Sequence, residues 1–122
     1  MTLPQKMRAV EISKAGGPEV LVIAERAVPQ PKPHEILVKV AAAGVNRPDV
    51  LQRMGLYAPP PDASDLPGLE IAGTVAAVGT GAKMWKVGDQ VCALTHGGGY
   101  AEYCVVPEVQ AQIGRASCRE RV

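Results

Sequence analysis

Phenylalanine does not occur in this chain of 122 residues, and aromatic residues together make up 3% of it. Aromatic side chains usually supply much of the apolar area that a small core buries. Here that area has to come from aliphatic side chains, because hydrophobic residues of all kinds still make up 47% of the chain. The sequence therefore predicts one globular domain with a core of Val, Ile, Leu and Ala, and not a disordered chain.

Strong charge, long apolar runs and paired cysteines are also lacking. The net charge of +1 is too small to predict a nucleic-acid partner or an anionic membrane surface. No apolar run approaches the roughly 18 residues of a membrane span, and no apolar segment of a secretory signal follows the first residues. The three cysteines are not closely spaced, so we expect neither a disulfide framework nor a structural zinc site, and a cytoplasmic location.

The last residues do not continue the pattern of the rest. Residues 113–122 show neither strand alternation nor a helical stripe, and three arginines crowd into them. One interpretation is a basic surface tail. However, the DNA string ATC GGA AGA GCG TCG TGT AGG GAA AGA GTG translates into these residues and resembles a common short-read sequencing adapter. We therefore predict that residues 1–112 form the domain, that the coding sequence is cut off near Gln112, and that residues 113–122 are a non-native tail.

Short β-rich segments separated by turn residues run through the domain. Alternating or β-branched runs predict strands at residues 8–13, 20–27, 36–40, 68–78, 90–94 and 100–106. Asn46 is a plausible N-cap for one short helix that reaches about Met54, with Pro48 and Asp49 in its first turn. Six or so strands with one helix predict a mainly β fold, an antiparallel barrel or sandwich.

Most of the conspicuous motifs have simple structural explanations. Gly79-Thr80-Gly81 lacks the third glycine and the helix of a dinucleotide-binding turn, so it predicts a hairpin-type turn. Cys92 and Cys104 lie within strand patterns and are expected to act as small core residues. His96, which precedes three glycines, is the histidine that we consider a candidate functional residue. Glu70 stands inside an apolar run and needs a partner, for which Arg47 is a candidate.

Several short motifs, taken together and in order, resemble one enzyme family. They are Gly-Gly-Pro-Glu-Val-Leu at 16–21, Gly-Val-Asn-Arg-Pro-Asp at 44–49, Gly-Leu-Tyr-Ala-Pro-Pro at 55–60, Pro-Gly-Leu-Glu at 67–70, Gly-Asp-Gln-Val at 88–91 and Gly-Tyr-Ala-Glu-Tyr at 99–103. From residue 7 to 109 the chain resembles the N-terminal catalytic domain of the zinc-free quinone oxidoreductase branch of the medium-chain dehydrogenase/reductase superfamily. The resemblance implies a chaperonin-10-like (GroES-like), partly open β-barrel with one or two short helices. The Rossmann domain of the family lies downstream and is missing here.

The resemblance also implies an activity. The complete enzyme would transfer hydride from NADPH to a quinone or conjugated carbonyl, and would be a homo-oligomer, whereas this fragment alone would be inactive. The zinc alcohol dehydrogenases of the superfamily have Cys where this chain has Asn46, and His where it has Leu69. Neither replacement is a usual zinc ligand, so no metal site is expected and the chemistry would rest on hydrogen bonding.

Site residues follow from the same resemblance. Asn46 and Tyr57 would be catalytic, Asn46 and Arg47 would contact the cofactor, and Tyr57, Leu51 and His96 would line the substrate cleft. Asn46 has two possible roles, as helix cap and as cleft residue. Because aspartate caps a helix as well as asparagine does, Asn46→Asp is predicted to keep stability and to lose most turnover.

Two other functions remain open at this point. The fold would also suit a stand-alone interaction module like a co-chaperonin subunit, but Pro59-Pro60-Pro61 and the polar residues 46–49 replace the mobile apolar loop that such a module needs. A fragment of a zinc alcohol dehydrogenase is disfavoured by Asn46 and Leu69.

Overall fold

Seven strands and one α-helix make up the fold of the computed structural model, which describes residues 3–56 and 64–113. In chain order they are β1 (Lys6–Ile12), β2 (Leu21–Ala27), β3 (Glu35–Ala43), α1 (Arg47–Arg53), β4 (Glu70–Val78), β5 (Gln90–Leu94), β6 (Tyr103–Pro107) and β7 (Ala111–Ile113). Single 3-10 turns precede β2 at Pro18–Val20 and β7 at Glu108–Gln110. The predicted mainly β fold is confirmed.

The strands form two antiparallel sheets. β1 pairs with β2 along its whole length, and the larger sheet has the order β6-β3-β4-β5-β7. β7 was not predicted, because a three-residue strand carries too little pattern to be recognised. It is defined by its pairing with β5, in which Ile113 lies opposite Val91. Ile113 is also the first residue of the predicted tail, and the origin of residues 113–122 stays a prediction.

The sequence predicted that residues 100–102 begin the last strand. In the structure they connect the two sheets instead. The Val10 N–H donates to the carbonyl of Tyr100 at 2.8 Å, and the Glu102 N–H donates to the carbonyl of Arg8 at 3.1 Å. On the other side, the Val40 N–H donates to the carbonyl of Glu102 at 2.8 Å. This segment therefore lies between β1 and β3 and holds Tyr100 close to the helix.

The core is aliphatic, as the absence of phenylalanine predicted. Strand alternation sends Ile36 and Val38 into one cluster and Leu37, between them, into another. The larger cluster packs within the five-stranded sheet and contains Ile36, Val38, Ile71, Val75, Val91, Ala93, Cys104, Val106 and Ala111. Cys104 behaves as the predicted core residue, and burial raises the pKa of its thiol to about 11, so it stays neutral and unreactive at neutral pH.

Glu108 fixes the connector between β4 and β5. Its Oε1 accepts hydrogen bonds from the backbone N–H groups of Lys83 and Met84, each at 3.0 Å, and its carbonyl accepts one from Trp85 Nε1 at 2.9 Å. The bonds from Met84 and then Lys83 lower the pKa of the Glu108 carboxyl below its ordinary value of 4.5. The side chain and the carbonyl of Glu108 therefore hold a long loop against the turn that leads into β7.

Glu108→Gln is expected to lower the melting temperature at pH 7 by a few degrees. A carboxylate whose pKa is lowered by folding stabilises the fold above its unfolded pKa, and this contribution is lost as the pH falls through the folded pKa. The difference in melting temperature between variant and wild type should therefore shrink below about pH 4.5. Glu25→Gln is the control, because the exposed pair Lys6–Glu25 contributes little. A difference independent of pH would contradict the assignment.

No helix in the described ranges is long and apolar enough to cross a membrane.

Candidate active site at the start of helix α1

Strand β3 loses one of its neighbours before it ends. β6 pairs with β3 only from Glu35 to Lys39, whereas β4 stays paired as far as Ala43. The small residues 41–43 are consequently exposed. The chain then passes through Gly44 and Val45 into α1, so the predicted site residues Asn46 and Arg47 lie beside an accessible end of the sheet.

Helix α1 confirms the predicted boundaries. Its N-cap is Asn46, Pro48 occupies the first turn, and Met54 is the C-cap. The Asn46 N–H donates to Asp49 Oδ2 at 2.9 Å, and the two residues form a capping box. A backbone donor that would otherwise lack a partner at the helix start is thereby satisfied.

The side-chain amide of Asn46 is held by Glu70. Asn46 Nδ2 donates to Glu70 Oε1 at 3.1 Å, and the Gly44 N–H donates to the carbonyl of Glu70 at 2.9 Å. Arg47, the partner suggested by the sequence, is exposed and makes no ion pair with Glu70 or with any other residue of the described ranges. The half-buried acid therefore pairs with a neutral amide and not with a cation.

Asp49 is the buried centre of this site. Its side chain accepts hydrogen bonds from the Asn46 N–H at 2.9 Å, the Tyr100 hydroxyl at 3.0 Å and the Gly68 N–H at 3.1 Å. The carboxylate thus joins α1 to the loop before β4 and to the segment between the sheets. Burial, and then the bond to Asp49, raise the pKa of the Tyr100 hydroxyl above its ordinary value, so it remains a donor at neutral pH.

The sequence had placed Asp49 only in the first turn of the helix. Nothing local to the helix indicates its long-range partners, since Gly68 and Tyr100 are brought to it by other elements. The one available signal of their importance was that Asp49 belongs to the motif at 44–49 and Tyr100 to the motif at 99–103.

Two of the remaining predicted site residues, Leu51 and His96, do not line one cleft together. Leu51 lies on α1 and is half-buried, while Tyr57 falls outside the described residues. His96 lines a cleft of about 380 Å³ that is also lined by Leu66, Gly98 and Cys104. Asn46, Arg47 and Leu51 are not part of its lining. Asn46 and Arg47 are therefore neighbours at the start of α1, whereas His96 lies in a cleft that they do not line.

One wall of that cleft is held by an ion-pair network. Arg26 donates to both carboxylate oxygens of Asp65, at 2.7 and 2.8 Å, and to Glu11 Oε2 at 2.7 Å. The bond from Arg26 lowers the pKa of the Asp65 carboxyl. Gln52 Nε2 donates to the Asp65 carbonyl at 3.1 Å, so β2 and α1 both fix the loop in front of β4.

Three or more His, Cys, Asp or Glu side chains do not cluster as metal ligands anywhere in residues 3–56 or 64–113.

Comparison with known proteins places this geometry in a family. The model of the alcohol dehydrogenase GroES-like domain matches residues 32–113. The chain is 44% identical to the human quinone oxidoreductase over 104 residues, which are 84% of the chain and 32% of that relative. It thus spans about a third of the length of the curated relatives it matches.

Two solved structures extend the comparison. A mycobacterial protein complexed with NADPH is 38% identical, with a TM-score of 0.75 over 88% of this chain and 32% of its own. An alcohol dehydrogenase from Pyrobaculum aerophilum is 31% identical, with a TM-score of 0.80 over 94% of this chain and 43% of its own. The chain therefore belongs to the alcohol dehydrogenase GroES-like domain family, within the medium-chain dehydrogenase/reductase superfamily that its motifs resemble.

Proposed function

We propose that this chain is the catalytic-domain part of an NADPH-dependent quinone oxidoreductase that transfers hydride to a quinone or conjugated carbonyl without zinc. The observation that carries the proposal is the 44% identity to the human quinone oxidoreductase across 84% of the chain. The bound NADPH of the similar mycobacterial structure supports the choice of cofactor. We also propose that the complete enzyme is a homo-oligomer and is located in the cytoplasm.

The residues at the start of α1 suit one end of such a cofactor. Asn46 offers a neutral amide that matches the carboxamide of a nicotinamide, and Arg47 offers an exposed positive charge for a phosphate. When bound, NADPH would supply the hydride. The chain would contribute positioning through Asn46, and a hydrogen bond from Tyr57 that stabilises negative charge developing on the acceptor oxygen.

The donor set at the site supports chemistry without zinc. Asn46 and Leu69 occupy the two positions at which the zinc enzymes of the superfamily have Cys and His. The Asn46 amide is engaged with Glu70, and Leu69 offers no donor atom. The site is therefore built for hydrogen bonding to a ligand and not for Lewis-acid catalysis.

Exposed apolar residues just before and just after α1 fit a covering domain. Val45 is 77% exposed and Leu56 is 68% exposed. Large apolar side chains left open to water are typical of a surface that another part of the protein covers. In the proposed enzyme a nucleotide-binding domain covers them.

The first test is the genomic DNA that follows the Gln112 codon. We expect a continuing reading frame with a glycine-rich strand–turn–helix that would bind the dinucleotide. The protein it encodes should oxidise NADPH in the presence of 1,4-benzoquinone, measured by the loss of absorbance of the reduced cofactor. Turnover should be unchanged by a zinc chelator. Alcohol oxidation that the chelator abolishes would favour a zinc alcohol dehydrogenase instead.

In that protein, Asn46→Ala should lower kcat/KM for NADPH and benzoquinone on the order of a hundredfold, since a contact made in the transition state is lost. Ile23→Thr, at a position on β2 that is 73% exposed, is the control and should retain full turnover. Equal rates for Asn46→Ala and wild type would remove Asn46 from the site.

A further inference from the structure

We propose that Glu70 is a positioning residue that orients the amide of Asn46, so that Asn46 presents an N–H donor to a carbonyl oxygen of the ligand. The inference rests on the proposed function for its catalytic consequence. Its structural basis is the hydrogen bond from Asn46 Nδ2 to Glu70 Oε1, 3.1 Å long.

The chemistry of the two groups decides the orientation. An ionised carboxylate only accepts hydrogen bonds, whereas an amide has a donor end and an acceptor end. Contact with Glu70 therefore requires Nδ2 to face the carboxylate and directs Oδ1 away from it, toward the capping box that Asn46 forms with Asp49. The second hydrogen on Nδ2 is then the polar group that remains for a ligand, and a ligand that meets it has to offer an acceptor oxygen.

Gly44 makes room for this arrangement. A Cβ at position 44 would overlap Glu70 Oε1 and would lie 2.9 Å from Glu70 Cδ, but 3.4 Å from Glu70 Cβ, an ordinary contact. All three of these nearest atoms belong to Glu70. The glycine before α1 is thus needed for the Glu70 carboxylate in particular, and the backbone bond from Gly44 to Glu70 at 2.9 Å keeps the two strands in this register.

The contact reverses one expectation from the sequence. Asn46→Asp was predicted to keep stability, because aspartate is an equally good helix cap. With Glu70 opposite, the variant would place two carboxylates in contact, and like charges at this distance repel. Asn46→Asp is now expected to melt clearly below wild type at pH 7.

A swap of the two residues tests the contact in the chain itself. In Asn46→Asp/Glu70→Gln the glutamine amide donates to the aspartate, so the hydrogen bond returns with its direction reversed. We expect the double variant to melt within a few degrees of wild type and well above Asn46→Asp alone. A double variant no more stable than Asn46→Asp would overturn the proposal.

Gly44→Ala supplies an independent measurement. It should lower the melting temperature of the wild-type chain but have little effect in a Glu70→Ala background, where the atoms that it would overlap are gone. An equal loss in both backgrounds would show that Gly44 does not make room for Glu70, and would contradict the arrangement.

The direction of the bond is tested by turnover in the complete enzyme. The swapped pair should fold but lose turnover roughly a hundredfold, because position 46 then offers only acceptors. Full turnover by the swapped pair would overturn the donor role. Turnover retained by Asn46→Ala would remove Asn46 from the site, and a wild-type protein that does not reduce benzoquinone with NADPH would contradict the proposed function. In both cases the melting temperatures would still decide whether Glu70 orients Asn46.

Discussion

Asp49→Ala is expected to be among the most destabilising single substitutions in this chain. The side chain is 5% exposed and accepts three hydrogen bonds, from the Asn46 N–H, the Gly68 N–H and the Tyr100 hydroxyl. Its removal leaves the buried Gly68 N–H and two part-buried donors without a partner, at a cost of roughly 3–5 kcal/mol. For a domain of this size that corresponds to a fall in melting temperature of roughly 10–20 °C, measurable by circular dichroism.

Tyr100→Phe is the matched control for Asp49→Ala. It removes one of the three donors and leaves the carboxylate with the other two, so it should cost only about 1 kcal/mol. Asp49→Asn should lie between the two, because an amide keeps one acceptor oxygen but turns a donor toward one of the three N–H or O–H groups. Equal losses for Asp49→Ala and Tyr100→Phe would show that Asp49 is not the centre of the site.

Gly68→Ala should have a comparably large effect for a different reason. Gly68 has a φ of +106°, and a Cβ there would lie 2.5 Å from Tyr100 N and 2.7 Å from Gly99 Cα. Both neighbours are backbone atoms and cannot rotate away, so the loop before β4 and the segment at 99–100 would have to separate. We expect a loss of roughly 3 kcal/mol or more in the free energy of unfolding.

Gly88→Ala is the control that separates backbone strain at a positive φ from steric overlap of the added Cβ. Gly88 has a φ of +100°, but no atom lies within 4 Å of its would-be Cβ. Only the left-handed backbone is then penalised, at a cost of about 1 kcal/mol. The free energies of unfolding of Gly68→Ala and Gly88→Ala, measured by chemical denaturation, should therefore differ by about 2 kcal/mol or more. Similar losses at both positions would mean that the close packing of Gly68 against Tyr100 does not contribute.

Local signals were enough for six of the seven strands in the described residues and for the helix. β5 begins and ends at its predicted residues, and α1 begins after Asn46 and is capped by Met54, as expected. Residues 100–102 were wrongly predicted to begin the last strand, because their β-rich composition does not show that they pair with β1 while β6 begins at Tyr103. The identity of the pairing strand is a property of the whole sheet and is not encoded in a window of a few residues.

In the candidate site too, some features follow from local sequence and others only from the tertiary structure. The sequence by itself determined that Asn46 starts a helix, that Glu70 needs a partner, and that the core is aliphatic, because capping, burial and composition act through neighbouring residues or through totals. Only the tertiary structure decided that Glu70 binds the Asn46 amide and that Asp49 joins Gly68 to Tyr100. These partners are 24, 19 and 51 residues apart in the chain. Their meeting depends on how the strands pair, since hydrogen bonds require approach to about 3 Å and no local pattern specifies it.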